Sequence, residues 1–104
     1  MTKEARVLAR AKAQAKAHGL RAIRMAMQRG VEGGWPDLVI LGPNRGVLFM
    51  ETKRRGKPLT PLQEERRREI VEDYGHLYSK PDTNEAVDHA IKGFAEFCNR
   101  RGFE

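Results

Sequence analysis

Two carboxylates and an ammonium stand where this chain could do chemistry: Asp37, Glu51 and Lys53. Each carboxylate borders an apolar run, residues 38–41 in one case and 47–50 in the other. A charge beside a buried strand is costly unless something neutralises it. Two carboxylates brought together repel, and a divalent cation removes that repulsion. Mg2+ prefers oxygen donors, usually one or two carboxylates with water and phosphate. Such a cation lowers the pKa of a bound water and stabilises charge on a phosphate. A nearby ammonium orients that water or takes up the developing charge. The set therefore suits hydrolysis of a phosphodiester.

Whether the three groups meet depends on the connection between the runs. The segment Gly42-Pro43-Asn44-Arg45-Gly46 reads as the turn of a β-hairpin. With Pro43-Asn44-Arg45 as a three-residue loop closed by Gly42 and Gly46, Asp37 lies opposite Glu51. Cβ atoms in such a pair are about 4.5–5.5 Å apart, and Lys53, two residues on, shares their face. The backbone carbonyl of Thr52 then completes the ligand set. A two-residue loop would shift the register by one and turn Asp37 to the other face. The competing reading makes Asp37 a loop cap and Glu51–Lys53 a surface ion pair.

The elements that must position these residues follow from local signals. Thr2 caps a first helix reaching about residue 17, which His18-Gly19 ends. Residues 20–27 suit a strand, and Gly30, Gly33 and Gly34 a flexible loop before the hairpin. Both hairpin runs are apolar on both faces, which predicts cover on two sides. Thr60 as N-cap, Pro61 at the first helical position and Gln63 at capping-box spacing open a second helix. That helix runs to about residue 73 or 74 and stops at Gly75. Residues 76–79 make a short strand. Asp82 and Glu85, again at capping-box spacing, open the last helix. Its apolar face is Val87, Ala90, Ile91, Phe94, Phe97 and Cys98 at helical spacing. The order α-β-β-β-α-β-α predicts an α/β fold with a mixed central sheet flanked by helices, one domain over residues 1–104.

Composition narrows the class. With 33% charged and 39% hydrophobic residues the chain reads as soluble and globular. No run approaches the roughly 20 apolar residues of a membrane helix, and no signal-type stretch opens the chain. An intracellular, cytoplasmic protein is expected. Its single cysteine, Cys98, excludes an internal disulfide and a thiolate zinc site. His18, His76 and His89 are dispersed and lack metal spacing. The formal net charge is +6, unevenly spread. Residues 1–68 carry 16 basic and 6 acidic side chains; residues 69–104 carry 4 and 8. A basic half of this kind points to a polyanion, such as nucleic acid, or to a solvated face.

At these residues the sequence resembles the PD-(D/E)XK nuclease superfamily. Pro36-Asp37 matches the PD, and Glu51-Thr52-Lys53 the (D/E)XK. More closely it is similar to the VRR-NUC family, the virus-type replication-repair nuclease domain. The stretch Gly34-Trp35-Pro36-Asp37-Leu38 is like that family's G-x-P-D-L/R block. Leu59-Thr60-Pro61-Leu62-Gln63 is like its L-S/T-x-x-Q block, and Gly75 also fits. The resemblance implies that Asp37 and Glu51 ligate Mg2+ (with Mn2+ as a substitute), that Lys53 is the catalytic lysine and that Gln63 supports the site. It also implies an acidic residue on the first helix, for which Glu4 is the candidate; a favourable charge at a helix N-terminus explains Glu4 equally. Two departures stand out. Arg67 occupies a position where some related nucleases have tyrosine, and the extra domains of larger members are missing. Small stand-alone members are similar to junction-resolving enzymes. That implies a homodimer acting on branched DNA, of Holliday-junction type, in replication or repair, encoded by a phage or prophage.

Around the site, Arg54, Arg55, Lys57, Arg66 and Arg67 are candidate phosphate contacts that read no sequence. Lys3, Arg6, Arg10, Lys12 and Lys16 coat the first helix, for DNA or for solvent. Trp35 reads as a packed loop residue. Three rival functions remain: a non-catalytic nucleic-acid-binding module with a nuclease fold, a phage replication assembly protein, and a different metal-dependent activity, such as an archaeal-type resolvase or a sequence-specific, restriction-type endonuclease.

Overall fold

The computed structural model describes residues 2–25, 33–53 and 56–102, the side chains of residues 3 and 4 excepted. Helix α1 spans Lys3–Ala17. The Thr2 hydroxyl accepts from the Ala5 N–H at 3.0 Å, the N-cap the sequence called for. At its far end Gly19 takes φ +72°, and the Leu20 N–H returns to the Ala15 carbonyl at 2.8 Å. This turn delivers the chain into strand β1, Arg21–Arg24. The expected strand ran to residue 27; β1 stops at Arg24, and Met27 and Gly30 lie outside the described residues.

Strands β2 (Leu38–Gly42) and β3 (Gly46–Met50) form the hairpin. Gly42 pairs with Gly46 and Leu38 with Met50, the register of a three-residue loop. Asn44 and Arg45 both adopt positive φ, 59° and 65°, to close it. Strand β4, Leu77–Ser79, runs parallel to β3. The sheet order β1-β2-β3-β4 is therefore mixed, as expected.

Alternation along the hairpin sends Leu38, Ile40, Leu48 and Met50 to one buried face. They pack with Val7, Ala11 and Ala15 of α1 and with Val87, Ile91, Phe94 and Cys98 of helix α3, Asn84–Arg101. Alanines on α1 let that helix lie close. The Cys98 thiol is buried in this cluster, and burial pushes its pKa up. The hairpin turn has to slip under α3. A Cβ on Gly42 would fall 2.6 Å from Cys98 Sγ, and one on Gly46 would collide with the same sulfur. Asn44 Nδ2 donates to the Cys98 carbonyl at 2.7 Å.

The opposite face differs from the expected even cover. Helix α2 (Pro61–Arg68) approaches it where β3 ends, and the His76 ring meets Phe49 at 5.8 Å. Further along that face, Ile23 and Leu41 remain about two-fifths exposed. Helix α2 begins as its sequence demanded, with Thr60 and Gln63 forming the reciprocal capping box and Pro61 in the first turn. It then widens into a π-helical turn over Glu69–Asp73 before Gly75 at φ +70°. One cap was misassigned. Thr83, not Asp82, caps α3 through the Ala86 N–H at 3.1 Å. Asp82 instead accepts from the Gly56 N–H at 3.3 Å. Among the described residues no helix is long and apolar enough to cross a membrane.

Candidate active site

The site lies just past the end of the β2–β3 ladder. Asp37 and Glu51 are each one residue beyond the last pair, Leu38 and Met50, and so sit across from one another. Each strand finds a new neighbour there. The Met25 N–H donates to the Asp37 carbonyl at 2.8 Å, and the Glu51 N–H donates to the Ser79 carbonyl at 2.9 Å. The Lys53 N–H continues this run onto the Pro81 carbonyl at 3.1 Å. The backbone at 51–53 is thus held on the sheet even though the regular strand has ended.

Asp37 serves partly as a cap, as the competing reading held. Its Oδ2 accepts from the Thr52 N–H at 3.0 Å and from the Thr52 hydroxyl at 2.7 Å. This fixes the carboxylate against the Glu51–Thr52 peptide and leaves its other oxygen uncommitted among the described residues.

Glu51 and Lys53 depart from a surface ion pair. Both are buried, each with 4% of its surface exposed. Lys53 Nζ stands 3.8 Å from Glu51 Oε1. The same Oε1 accepts from Gln63 Nε2 at 3.0 Å. Gln63 performs both roles weighed for it. Its amide oxygen accepts from the Thr60 N–H at 2.9 Å while its nitrogen holds Glu51.

The described end of the loop before Asp37, residues 33–36, is built by close approach. Gly34 has φ +86°, and a Cβ there would lie 2.7 Å from the Leu62 carbonyl oxygen. Trp35 is half-buried beneath the Arg66 guanidinium, 5.2 Å from its ring centroid. Arg66 Nε also donates to the Gly33 carbonyl at 3.1 Å, and Nη1 to Glu69 at 3.0 Å. This residue, expected at phosphate, is committed to tying the Gly33–Trp35 loop onto α2. Arg67 pairs with Glu64 at 2.6 Å. Arg10, counted among the helix-one cations, is bidentate on Asp88 and joins α1 to α3. Lys57 is exposed. Arg54, Arg55 and the Glu4 side chain lie outside the described residues.

Sequence reasoning missed Arg24. A cleft of about 370 Å³ is bounded by Asp37, Thr52, Arg24 and the first turns of α1 at Thr2, Ala5 and Leu8. Arg24 pairs with Leu38 across β1 and β2, so it faces the cleft from the neighbouring strand. Its only signal in the sequence was a position on a weakly patterned strand.

The donor set suits a hard cation. Asp37 and Glu51 bring carboxylate oxygens to one end of the sheet, and the Thr52 carbonyl follows Glu51 in the chain. Among the described residues no group of three or more His, Cys, Asp or Glu comes together. From the described residues a cation would take two carboxylates, within the number Mg2+ usually takes from protein.

No family model and no curated protein matches the chain. A solved structure described as a VRR_NUC domain does, with a TM-score of 0.76 and 25% identity. The match covers 88% of this chain and 97% of that one.

Proposed function

We infer, from the VRR-NUC-like nuclease-domain fold of this chain, that it is a metal-dependent nuclease hydrolysing DNA phosphodiesters at Asp37, Glu51 and Lys53. The observation that carries the reading is the buried Glu51–Lys53 pair beside Asp37. Burying an ion pair is a poor route to stability, because apolar residues of similar volume do as well or better. A pair kept at the end of an apolar strand, in a basic protein, is better explained by chemistry.

Asp37, Glu51 and the Thr52 carbonyl would hold Mg2+, with Mn2+ as a substitute. Bound there, the ion would supply Lewis acidity toward water and phosphate. The chain's own groups do the rest. Thr52 locks one oxygen of Asp37, and Gln63 locks one oxygen of Glu51, so neither carboxylate must be ordered when substrate arrives. Lys53, 3.8 Å from Glu51 Oε1, would donate to a phosphate oxygen or orient the attacking water. Arg24 lines the cleft as a further phosphate contact, and Lys57, with Arg54 and Arg55 before it in the chain, would add others.

Branched DNA is the proposed substrate and a homodimer the proposed form, since symmetric cutting of two strands needs two centres. Both rest on the sequence resemblance to the VRR-NUC family. The test compares a four-way junction with matched duplex, in Mg2+ and in EDTA, for wild type and Glu51→Gln. Mg2+-dependent cutting that the variant loses supports the nuclease, and preference for the junction supports resolution. Intact DNA binding with no cutting of either substrate would replace this reading with a non-catalytic binding module.

A further inference from the structure

A groove of about 610 Å³ opens beside the site and takes no part in the chemistry described above. Pro58, Leu59 and Pro61, from the segment leading into α2, line it together with Tyr78 of β4. Arg67 and Lys80 also border it. The groove and Glu51 share supporting elements. Tyr78 pairs with Phe49, two residues before Glu51, and the Glu51 N–H is bonded to Ser79. Pro61 and Arg67 belong to the helix whose Gln63 holds the Glu51 carboxylate. A strand whose phosphate sat at Asp37, Glu51 and Lys53 would have a neighbouring nucleotide within reach.

The lining decides which part of a nucleotide fits. A phosphate is disfavoured, because Glu64 also lines the groove and already neutralises Arg67 at 2.6 Å. Prolines, Leu59 and a tyrosine ring would strip water from a phosphate without repaying it. A planar heterocycle suits the same walls. Its face can stack on the Tyr78 ring, and its edge carries both donors and acceptors for the Glu64–Arg67 pair. Lys80, exposed at the edge of the groove, is available to a flanking phosphate.

We propose that this groove is a nucleobase subsite, taking one unpaired base of the strand engaged at the Asp37/Glu51/Lys53 centre and stacking it on Tyr78. The position of the strand rests on the nuclease reading, so the test separates the two. A forked DNA is bound in EDTA with each unpaired nucleotide in turn replaced by an abasic residue. One abasic position should weaken wild-type binding by about 5- to 150-fold, the range for loss of a stacked base. Tyr78→Ala should lose as much on the intact fork and nothing further at that position, while Tyr78→Phe behaves as wild type. Equal losses at every abasic position, or a folded Tyr78→Ala that still senses the abasic site, would overturn the subsite. Cleavage in Mg2+ is followed in parallel. Cutting without base-dependent coupling removes the subsite and leaves the nuclease. Coupling without cutting supports the subsite and removes the nuclease.

Discussion

Gln63 ties the start of α2 to Glu51: one amide accepts from the Thr60 N–H at 2.9 Å and donates to Glu51 Oε1 at 3.0 Å. The helix cap and the carboxylate are therefore set by one side chain, and substitutions can separate the two jobs. Thr60→Ala removes the cap hydroxyl alone and should cost about 1 kcal/mol of stability. Its cleavage rate should stay near wild type. Gln63→Ala should cost a similar amount in urea denaturation and lower kcat by about 10- to 100-fold. An unchanged kcat would leave Gln63 with its capping role only.

Lys53 is the counter-charge Glu51 needs when no metal is present. Lys53→Met in EDTA should destabilise the fold by about 3–5 kcal/mol, since it removes the ammonium 3.8 Å from a buried carboxylate. Adding Glu51→Gln to it should recover much of that loss, because both partners are then neutral. Chemical denaturation of the two singles and the double measures the coupling. Additive losses would mean that the 3.8 Å pair contributes nothing.

Gly34 sets the approach of the Pro36-Asp37 segment to α2. Gly34→Ala meets strain at φ +86° and a clash with the Leu62 carbonyl oxygen. A loss of about 1–3 kcal/mol is expected. Adding Leu62→Ala should not rescue it, because the nearest atom is backbone. Full rescue by the second change would show that only the leucine side chain was in the way.

The Arg10–Asp88 bond predicts a pH dependence. Hydrogen bonding from Arg10, reinforced by its charge, holds the Asp88 carboxyl below its ordinary value. Its contribution is therefore fully present above the unfolded value of about 3.9 and is lost as pH falls through the folded one. The urea midpoint of wild type should exceed that of Asp88→Asn at neutral pH, with the gap closing in acid. Both residues are exposed, so the gap is small and shrinks with salt. A gap that widens in acid would reverse the assignment.

Local chemistry in the sequence determined a good deal of this protein. Thr2, Thr60 with Gln63, Gly19 and Gly75 mark helix ends through bonds and φ angles that depend on a few neighbouring residues. The register of the hairpin was legible too, because glycines bracket a three-residue loop and loop length sets the pairing. With that loop length Asp37 stands across from Glu51; a two-residue loop, which the sequence left open, would have turned it to the other face, and the pairing of Gly42 with Gly46 decides between them. What local chemistry did not disclose were contacts between residues distant in sequence. That α1 and α3 share one face, leaving Ile23 and Leu41 of the other exposed, depends on how helices dock and not on their own periodicity. Arg66 looked like any surface cation until Gly33, Trp35 and Glu69 were found around it. Likewise, E-x-K reads the same for an exposed pair as for a buried one. Only the fold, by closing the end of the sheet around Glu51 and Lys53, decided that their charges are out of water and worth explaining.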